Sequence, residues 1–366
     1  MLEEERIASW KKLKNLVLER DLDALFFSSY PNVFYLSGLK ASQAFLVFTK
    51  EKAYLITDAR YYERAKNLTH PFLEIQLLVN DPFKFLKNFF HTQKLKKIGF
   101  EKDRVSCEFV EKLRSKKYRL IGLSQPLKEL RMLKTTSERK KIKEAVKITD
   151  KIYKDLLSFI NGDLMELEIR GKIVELAFKY SAEGEAFPSI VAFSEHSAIP
   201  HWESSRTPLG KKGPLLIDMG VIYQGYCSDF TRTLFLGKAD KEFRKIYSFV
   251  KDAWYKAFEK VKIGVPICEL DKVIREYFQE KGVLSNFTHA TGHGLGIEIH
   301  EYPRIYFSPN KKNSKEEPLI EEGMVFTIEP GLYFPGKFGI RLENVVFVEN
   351  GEGKIYSEIS LDLLEL

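Results

Sequence analysis

The sequence has little cysteine and no long apolar run. Its three cysteines, Cys107, Cys227 and Cys268, are odd in number and lack the spacing of metal ligands, so neither a disulfide framework nor a thiolate-rich metal site is expected. No stretch of about eighteen apolar residues is present, which predicts that the chain does not span a membrane. The first six residues lack the basic and then apolar layout of a signal peptide, so we expect a cytoplasmic protein.

A concentrated basic surface is also lacking. The net charge of +7 arises in residues 1–133, which hold 25 Lys and Arg against 16 Asp and Glu. These bases are scattered among acids, apart from one cluster at residues 114–119. Such a distribution is typical of a solvated face, so we expect no nucleic-acid partner.

Histidine is scarce as well, yet its distribution is uneven. Three of the seven histidines, His289, His293 and His300, occur within twelve positions. Glycine occupies positions 292, 294 and 296, where it lets the backbone turn sharply and approach an ion. Neutral imidazole is a strong ligand for divalent transition metals, so this stretch predicts a metal site.

Two hairpin patterns contain acids that such an ion requires. The first, over residues 215–237, has apolar runs on either side of a polar turn. If the turn is centred on Tyr223 and Gln224, Asp218 lies directly opposite Asp229. An unpaired carboxylate in an apolar strand costs on the order of several kcal/mol, so a positive partner is expected.

The second hairpin pattern is centred on Gly336 and places Glu329 directly opposite Glu343. Pro330 cannot donate a ladder hydrogen bond, which leaves open a slip of one residue. Like charges on directly opposite residues destabilise a sheet. Two acidic pairs and a histidine suit two divalent cations bridged by carboxylates and a water.

The motifs around these residues resemble those of one enzyme family. The candidate ligands occur in the order Asp218, Asp229, His293, Glu329 and Glu343. The flanking motifs are Gly-His-Gly-Leu-Gly, His-Glu-Tyr-Pro, Thr-Ile-Glu-Pro-Gly and Gly-Ile-Arg-Leu-Glu-Asn. Order and motifs together resemble the pita-bread metallopeptidases, which include aminopeptidase P, Xaa-Pro dipeptidase (prolidase), methionine aminopeptidase and the metal-free creatinases. The prolidase branch is the most similar.

The resemblance implies a dinuclear site. Asp229 and Glu343 would bridge both ions, Asp218 would complete one ion, and His293 and Glu329 would complete the other. Oxygen ligands with one imidazole favour Mn(II), with Co(II) or Zn(II) as alternatives. A metal-bridging hydroxide would attack the scissile carbonyl, and Glu329 could shuttle a proton to the leaving nitrogen.

The resemblance also implies roles for basic residues near the ligands. His201 and His300 would contact the scissile peptide and stabilise the oxyanion. His289 is expected to hold a ligand carboxylate or His293. Arg341 alternates with Glu343 on one strand face, and two alternatives stay open: pairing with a ligand acid or ordinary charge balance.

The substrate is indicated by three further residues. Phe187 and Ile299 could form the apolar wall that a proline ring requires. Arg304 resembles the arginine that grips the C-terminal carboxylate of a dipeptide in prolidases, and a guanidinium fork suits a carboxylate. We therefore expect an Xaa-Pro dipeptidase acting on proline-containing peptides. Aminopeptidase P, acting on longer peptides, and a non-catalytic pita-bread binding module are the alternatives.

The resemblance implies a creatinase-like α/β domain over residues 1–132 and an α+β pita-bread catalytic domain with pseudo-twofold halves over residues 133–366. Tyr35–Gly38 and Thr57–Tyr61 are similar to segments of the creatinase-type domain. Strands are predicted at 24–27, 44–48, 53–56, 73–79, 97–100 and 120–123, and helices at 3–19, 60–66, 82–91 and 106–116. This region lacks a catalytic constellation, so we expect it to flank the site or to build a homodimer.

Residues 133–366 repeat one pattern twice. Helices are predicted at 137–159, 166–183, 240–262 and 269–281, with Ser137 or Thr136 as the cap of the first. Each helix pair precedes one acidic hairpin, so the metals are expected between two halves. A polar loop at residues 310–318 is predicted to be a solvated hairpin tip.

Overall fold

The computed structural model describes residues 3–68, 72–308 and 317–366, and most of the predicted hairpin tip at 310–318 lies outside them. The chain divides into two compact units, residues 1–130 and 131–366. The domain boundary expected between residues 132 and 133 stays a prediction. Among the described residues, no helix has the length and apolarity needed to cross a lipid bilayer.

The first unit contains one mixed sheet of six strands in the order β4-β3-β2-β1-β5-β6. Its strands are β1 (Ala24–Phe27), β2 (Ala44–Thr49), β3 (Ala53–Thr57), β4 (Leu73–Leu77), β5 (Lys97–Glu101) and β6 (Arg119–Leu123). Its helices are α1 (Glu3–Glu19), α2 (Tyr30–Ser37), α3 (Ala59–Lys66), α4 (Pro82–Thr92) and α5 (Cys107–Leu113). The first three strands pair antiparallel and the other neighbours pair parallel.

Helix α2 is an element that the periodicity does not predict, whereas the other helices and strands of this unit match their predictions with ends shifted by up to three residues. Six of the eight residues of α2 are buried, so no polar face marks a helical period. Pro31 in its first turn and the left-handed Gly38 (φ 79°) after its last residue define its ends instead.

The second unit has two pairs of helices, as predicted. The helices are α7 (Thr136–Phe159), α8 (Glu166–Lys179), α9 (Lys241–Phe258) and α10 (Cys268–Glu280), and the short α6 (Lys128–Met132) precedes them. The cap of α7 is Thr135, one residue before the nearer predicted cap, because its side chain and that of Glu138 form a capping box. Helix α8 ends four residues early, just before Ser181, which has a left-handed φ of 64°.

The main sheet of this unit has eight strands, in the order β14-β13-β15-β18-β12-β9-β8 with β19 paired to β18. These strands are β8 (Ile190–Phe193), β9 (Gly213–Met219), β12 (Phe230–Leu236), β13 (Gly292–Gly294), β14 (Glu301–Ile305), β15 (Val325–Ile328), β18 (Glu343–Glu349) and β19 (Glu352–Ile355). Two smaller sheets contain β7 (Gly184–Glu185), β10 (Val221–Tyr223) and β11 (Tyr226–Cys227), and β16 (Gly331–Phe334) and β17 (Phe338–Arg341).

Each helix pair packs on its own part of the main sheet. Helices α7 and α8 share a core with β8, β9 and β12, whereas α9 and α10 share one with β15 and β18. The two halves meet where β12 pairs with β18. This arrangement confirms the predicted pseudo-twofold halves.

The core residues alternate with the predicted ligand acids along the strands. Ile217 and Met219, on either side of Asp218, belong to the core under α7 and α8. Ile328, directly before Glu329, belongs to the core under α9 and α10. Because successive strand residues point to opposite faces, the acids lie on the sheet face that the helix pairs leave free.

Candidate metal centre

The first acidic hairpin brings Asp218 and Asp229 onto one face, but not as directly opposite residues. Strands β9 and β12 pair with Asp218 opposite Thr231, so the expected pairing of the two acids is wrong by two residues. The turn is centred on Gln224 and Gly225, one residue later than expected, and their positive φ values (48° and 79°) suit a type I′ turn. The two acids are therefore diagonal neighbours.

The second acidic hairpin has the predicted register. Strand pairs β15–β18 and β16–β17 keep one register before and after Pro330, so the slip that this proline left open does not occur. The shared register sets Glu329 opposite Glu343, as expected for a turn at Gly336, whose φ is 73°. This register is confirmed.

Strand β13, which carries His293, lies very close to its neighbours. A Cβ atom at Gly292 would lie 2.0 Å from the carbonyl oxygen of Thr327, and one at Gly294 would lie 2.5 Å from that of Tyr302. Glycine is needed here because backbone approaches backbone, which differs from the predicted approach to an ion. The consequence is a fixed position for the imidazole between the two hairpins.

The five predicted ligands converge on the free face of the sheet. His293 Nε2 lies 3.5 Å from Asp229 Oδ2 and 3.5 Å from Glu329 Oε1. Ligand atoms of Asp229, His293 and Glu343 lie within 4.8 Å of one another. The charge of Asp218 acts on both Asp229 and Glu343. Four carboxylates and one imidazole therefore share one small volume.

The four acids carry more negative charge than the basic side chains beside them neutralise, as the raised pKa values of three of them indicate. Burial first, and then the neighbouring carboxylates, raise the pKa of Asp229 and of Glu343 well above the ordinary values. Burial raises the pKa of Glu329 to about 8. Arg341 is the base that opposes these shifts. Such a group is suited to bind additional positive charge.

One atom of the group supports that conclusion independently. Asp218 Oδ2 accepts a hydrogen bond from Arg341 Nη2 at 2.6 Å, but Asp218 Oδ1 is buried without a hydrogen-bond partner among the described residues. A buried acceptor without a partner is costly, and a carboxylate oxygen is a ligand that hard divalent cations prefer. The residues therefore fit divalent metal ions.

Arg341 pairs with Asp218, one of the predicted ligand acids, so the first of the two alternatives for Arg341 is the one that the structure contains. Its Nη1 donates to Tyr333 Oη at 2.8 Å, and Tyr333 Oη lies 2.9 Å from His289 Nε2. Burial lowers the pKa of His289 to about 4, so the neutral ring accepts this hydrogen bond. His289 thus reaches Asp218 through two side chains, instead of contacting a ligand acid or His293 directly as expected.

The two histidines predicted to contact the scissile peptide lie beside the ligands. The ring of His300 packs edge-on against His293, with 4.3 Å between ring centroids. Burial, and then the neighbouring His201, lower the pKa of His300. Both residues keep part of their surface open to solvent although the His300 ring is partly buried, so they can reach a substrate.

Phe187 and Ile299, the predicted apolar wall, each lie next to a segment that carries a predicted site residue. The ring of Phe187 lies against Gly220, where an added Cβ atom would be 3.0 Å from it. Gly220 follows Asp218 by two residues in the chain. Ile299 is half-buried and directly precedes His300. Phe187 is thus near the strand that carries Asp218, and Ile299 is next to His300.

Arg304 lies farther from the ligand acids than Arg341 does. It pairs with His293 across β13 and β14 and is exposed. Its guanidinium lies over the ring of Tyr306, 5.4 Å from the centroid. A cation held in this way is free to bind a carboxylate that approaches from solvent.

Two threonines that support the ligands were not predicted. Thr231 Oγ1 donates to Glu343 Oε2 at 2.6 Å, and Thr327 Oγ1 accepts from the backbone of His293 at 3.2 Å. Each threonine lies two residues from a ligand acid on a strand, and therefore on the same face. That spacing is a signal that could have identified them.

Asp271 on α10 was also not predicted, although it fixes both ends of the hairpin that carries His293. The buried carboxylate accepts from the backbone N–H and the hydroxyl of Thr291 and from the backbone of Phe307. Arg275 Nε donates to it at 2.6 Å. An acid on the buried face of an amphipathic helix is the signal that points to such an anchor.

Glu301, next to His300, is the centre of a second buried ion group. It pairs with Arg131 and Lys134, and Arg131 also lies 2.7 Å from Glu298. Burial alone would raise the pKa of Glu301, but Lys134 and Arg131 outweigh burial and hold this pKa at about 2. The group fixes the segment between β13 and β14.

Replacing Glu301 with glutamine is expected to lower the free energy of unfolding of the chelator-treated protein at pH 7. The pKa of Glu301 is about 4.5 in the unfolded chain and about 2 in the folded protein, so its ionised form stabilises the fold fully above pH 4.5. This stabilisation is lost as the pH falls toward 2, so the difference between the variant and the wild type should shrink over the same range. Urea unfolding at several pH values measures this, with the exposed Glu259→Gln as control. A loss that is independent of pH would contradict the ion-pair account.

Comparison with known proteins gives consistent matches. Residues 140–350 match metallopeptidase family M24, and residues 10–133 match the creatinase/prolidase N-terminal domain. An Xaa-Pro dipeptidase from Pyrococcus furiosus is 32% identical, over 97% of this chain and 99% of its own. A solved Xaa-Pro dipeptidase from Bacillus anthracis has a TM-score of 0.93 at 29% identity, with 99% and 100% covered. A solved X-Pro aminopeptidase from Thermotoga maritima has a TM-score of 0.87 at 31% identity, with 97% and 100% covered.

Proposed function

Because this chain belongs to metallopeptidase family M24 and carries a creatinase/prolidase N-terminal domain, we propose that it hydrolyses the peptide bond preceding proline in Xaa-Pro dipeptides. The chain is an enzyme with the pita-bread fold, and hydrolysis of a peptide bond is its reaction class. The relatives that are named Xaa-Pro dipeptidases support the choice of substrate. A non-catalytic binding module is disfavoured, since all five ligand positions hold ligand residues.

The observation that carries the proposal is the convergence of one imidazole and four carboxylates, three of them buried and that of Glu329 half-buried, with Arg341 as a base that opposes their charge. We assign Asp229 and Glu343 as ligands shared by two divalent ions, Asp218 as a ligand of one, and His293 and Glu329 as ligands of the other. Mn(II) is the proposed metal, with Co(II) or Zn(II) as alternatives, because the donors are oxygens and one imidazole. When bound, such ions polarise a carbonyl group and lower the pKa of water.

Glu329 is the residue suited to move the proton. Its carboxylate lies at the centre, with Oε1 3.5 Å from His293 Nε2, and a carboxylate placed beside the reacting atoms can accept and return a proton. It takes a proton from the attacking water and gives one to the leaving nitrogen. That transfer is essential for proline, because the imide nitrogen of an Xaa-Pro bond has no hydrogen and leaves as an amine.

His201 and His300 are suited to bind the carbonyl oxygen. Burial lowers the pKa of His300, which favours the neutral ring, and a neutral imidazole still carries one N–H group that can donate to the carbonyl oxygen. Both residues keep part of their surface open to solvent beside the ligands. Such donors stabilise the negative charge that develops on the oxygen in the transition state.

Phe187, Ile299 and Arg304 are the proposed substrate contacts. The first two form an apolar wall for the proline ring, and the exposed guanidinium of Arg304 binds the free carboxylate one residue beyond the scissile bond. Its register position opposite His293 supports this role, because residues paired across antiparallel strands lie on one face. A longer peptide has no carboxylate at that position.

The test compares Ala-Pro, Ala-Pro-Ala and Ala-Ala as substrates of the Mn(II)-loaded enzyme. We expect Ala-Pro to have the highest kcat/KM and Ala-Ala the lowest. Arg304→Met should lower kcat/KM for Ala-Pro by about 10- to 100-fold, mainly through KM, since a charge-assisted hydrogen bond contributes about 1.5–3 kcal/mol. The exposed Arg20→Met serves as the control. Faster cleavage of Ala-Pro-Ala than of Ala-Pro would establish aminopeptidase P activity instead.

The remaining assignments are proposals of the same kind. Residues 1–132 form the creatinase-like domain, and residues 133–366 form the catalytic domain. A homodimer and a cytoplasmic location stay predictions that rest on the family and on the sequence. Sedimentation of the purified chain measures the first, and fractionation of cells measures the second.

A further inference from the structure

We infer that Glu166 is a positioning residue that sets the location of His201 for catalysis. The inference rests on the proposed function, because that function gives His201 its role. Glu166 is the first residue of α8 and lies on the buried side of this helix, fully excluded from solvent. It belongs to no part of the metal centre described above.

The carboxylate of Glu166 accepts five hydrogen bonds from one segment of chain, residues 193–205. Oε1 accepts from the backbone of Phe193 at 2.9 Å and from His196 Nδ1 at 2.8 Å. Oε2 accepts from Trp202 Nε1 at 2.9 Å and from the backbone and hydroxyl of Ser205 at 2.9 and 2.8 Å. One side chain thus ties together both ends of the segment and the residue that follows His201.

The ionised form of Glu166 is the form that this site requires. Burial alone would raise its pKa, but the hydrogen bonds from Phe193, Trp202, His196 and Ser205 outweigh burial and leave the pKa below the ordinary value. The N–H groups of Phe193, Trp202 and Ser205 cannot accept a hydrogen bond, and at least one of them faces each carboxylate oxygen, so the NH₂ group of a neutral amide would face a donor in either orientation. Glutamine therefore fits the volume of the site but not its hydrogen bonds.

The segment contains a 3-10 helix, Ser194–Ala198, whose first residue has an uncommon backbone conformation that such an anchor can hold. Ser194 has a left-handed φ of 54°, a conformation that persists where surrounding contacts impose it. The rings of His196 and Trp202 stack with 3.8 Å between centroids. His201 precedes Trp202 directly, so a displacement of the indole moves the imidazole.

The opposite side of the segment contacts the metal centre. Arg341, which binds Asp218, donates through Nη1 to the carbonyl oxygen of Pro200 at 3.4 Å. The backbone around His201 is therefore held by Glu166 on one side and by Arg341 on the other. The His201 imidazole is exposed, so the anchor acts on the backbone and leaves the ring free for substrate.

The test measures hydrolysis of Ala-Pro by Mn(II)-loaded Glu166→Gln, His201→Ala and the double variant. Glu166→Gln is expected to lower kcat by about 10- to 100-fold, with KM and the number of bound Mn(II) ions unchanged. In the His201→Ala background, the same change should lower kcat by less than about threefold. A purely structural role would lower kcat by the same factor in both backgrounds.

Asp150→Asn is the matched control. Asp150 is a buried acid on α7 that accepts from the hydroxyl of Ser357 and the backbone of Glu358. This change removes a buried charge and leaves donors without an acceptor, as Glu166→Gln does, but away from residues 193–205. It should lower stability and leave kcat unchanged.

The kinetics of Trp202→Phe and the imidazole NMR signals test the positioning role in two further ways. If Glu166→Gln does not fold, Trp202→Phe removes one of the five hydrogen bonds next to His201 and should lower kcat by about three- to tenfold. If the wild type hydrolyses no proline peptide, the proposed function fails, and imidazole NMR decides the positioning role alone. In the metal-free protein, the His201 signals should shift and broaden in Glu166→Gln, while those of the exposed His91 stay unchanged. Unchanged His201 signals, or additive effects on kcat, would overturn the inference.

Discussion

Asp229→Ala is expected to lower kcat/KM for Ala-Pro by at least about 10³-fold and to reduce the number of bound divalent ions. The reason is the location of this carboxylate, which is buried within 4.8 Å of ligand atoms of His293 and Glu343. Metal ions contribute several kcal/mol to such reactions, and each 1.4 kcal/mol is about tenfold in rate. Because we propose Asp229 as a ligand shared by two ions, its loss is expected to reduce both metal binding and the rate of hydrolysis.

Elemental analysis and hydrolysis of Ala-Pro by the same preparations measure these two effects together. Asp163→Ala, which removes an exposed acid in the turn after α7, is the control and should behave as the wild type. Asp229→Ala is expected to fold, because burial and three neighbouring acids raise the pKa of Asp229, so that the side chain opposes folding of the metal-free chain. Full activity of this variant would contradict the assignment of the metal centre.

His300→Ala is expected to lower kcat by about 10²- to 10³-fold while both ions stay bound. This range is the usual cost of removing one oxyanion donor. His300 contacts His293 ring to ring and is not one of the five proposed ligands, so we expect metal binding and catalysis to separate in this variant. Asp229→Ala, in contrast, should lose both.

Mn(II) titration followed by steady-state kinetics checks this separation. The His201→Ala variant provides a second donor deletion, and the pair should be less than additive if both rings bind one oxygen. Two bound ions with wild-type kcat in His300→Ala would exclude the oxyanion role. Loss of an ion would instead make His300 part of the metal centre.

The accuracy of the register predictions depended on which residues form each turn. Gly336 marks the second turn without ambiguity, and the strands on both sides of Pro330 keep one register, so Glu329 and Glu343 were paired correctly. In the first hairpin, Gln224 adopts a positive φ together with Gly225, and glutamine is not a residue that signals this conformation. The pairing of the acids was therefore wrong by two residues, but an even shift keeps both on one face.

Other features depend on contacts that no local pattern contains. Helix α2 is buried nearly all round and has no helical period to detect. Glu166 and Asp271 lie near the starts of α8 and α10, where an acid is expected from the helix dipole alone. The hydrogen-bond partners of the Glu166 carboxylate lie at least 27 residues away along the chain, and Thr291 and Phe307, which donate to Asp271, lie at least 20 away, so only the folded chain brings them near.

The substrate is predicted with less support than the metal ligands, for a physical reason. Ligand acids are identified by the energetic cost of burying charge, and this cost leaves a pattern in apolar strands. Phe187, Ile299 and Arg304 obey no such constraint, because apolar residues and exposed arginines occur throughout soluble proteins. Kinetics on defined peptides is the measurement that tests them.

The most direct test of the whole account is a crystal structure of the Mn(II)-soaked enzyme with anomalous data collected at the manganese edge. The account predicts two anomalous peaks roughly 3.5–4 Å apart. Both should lie among the side chains of Asp218, Asp229, His293, Glu329 and Glu343, with Asp218 Oδ1 bound to one ion. A structure with no peak in this group, or with Mn(II) bound elsewhere in an active enzyme, would contradict it.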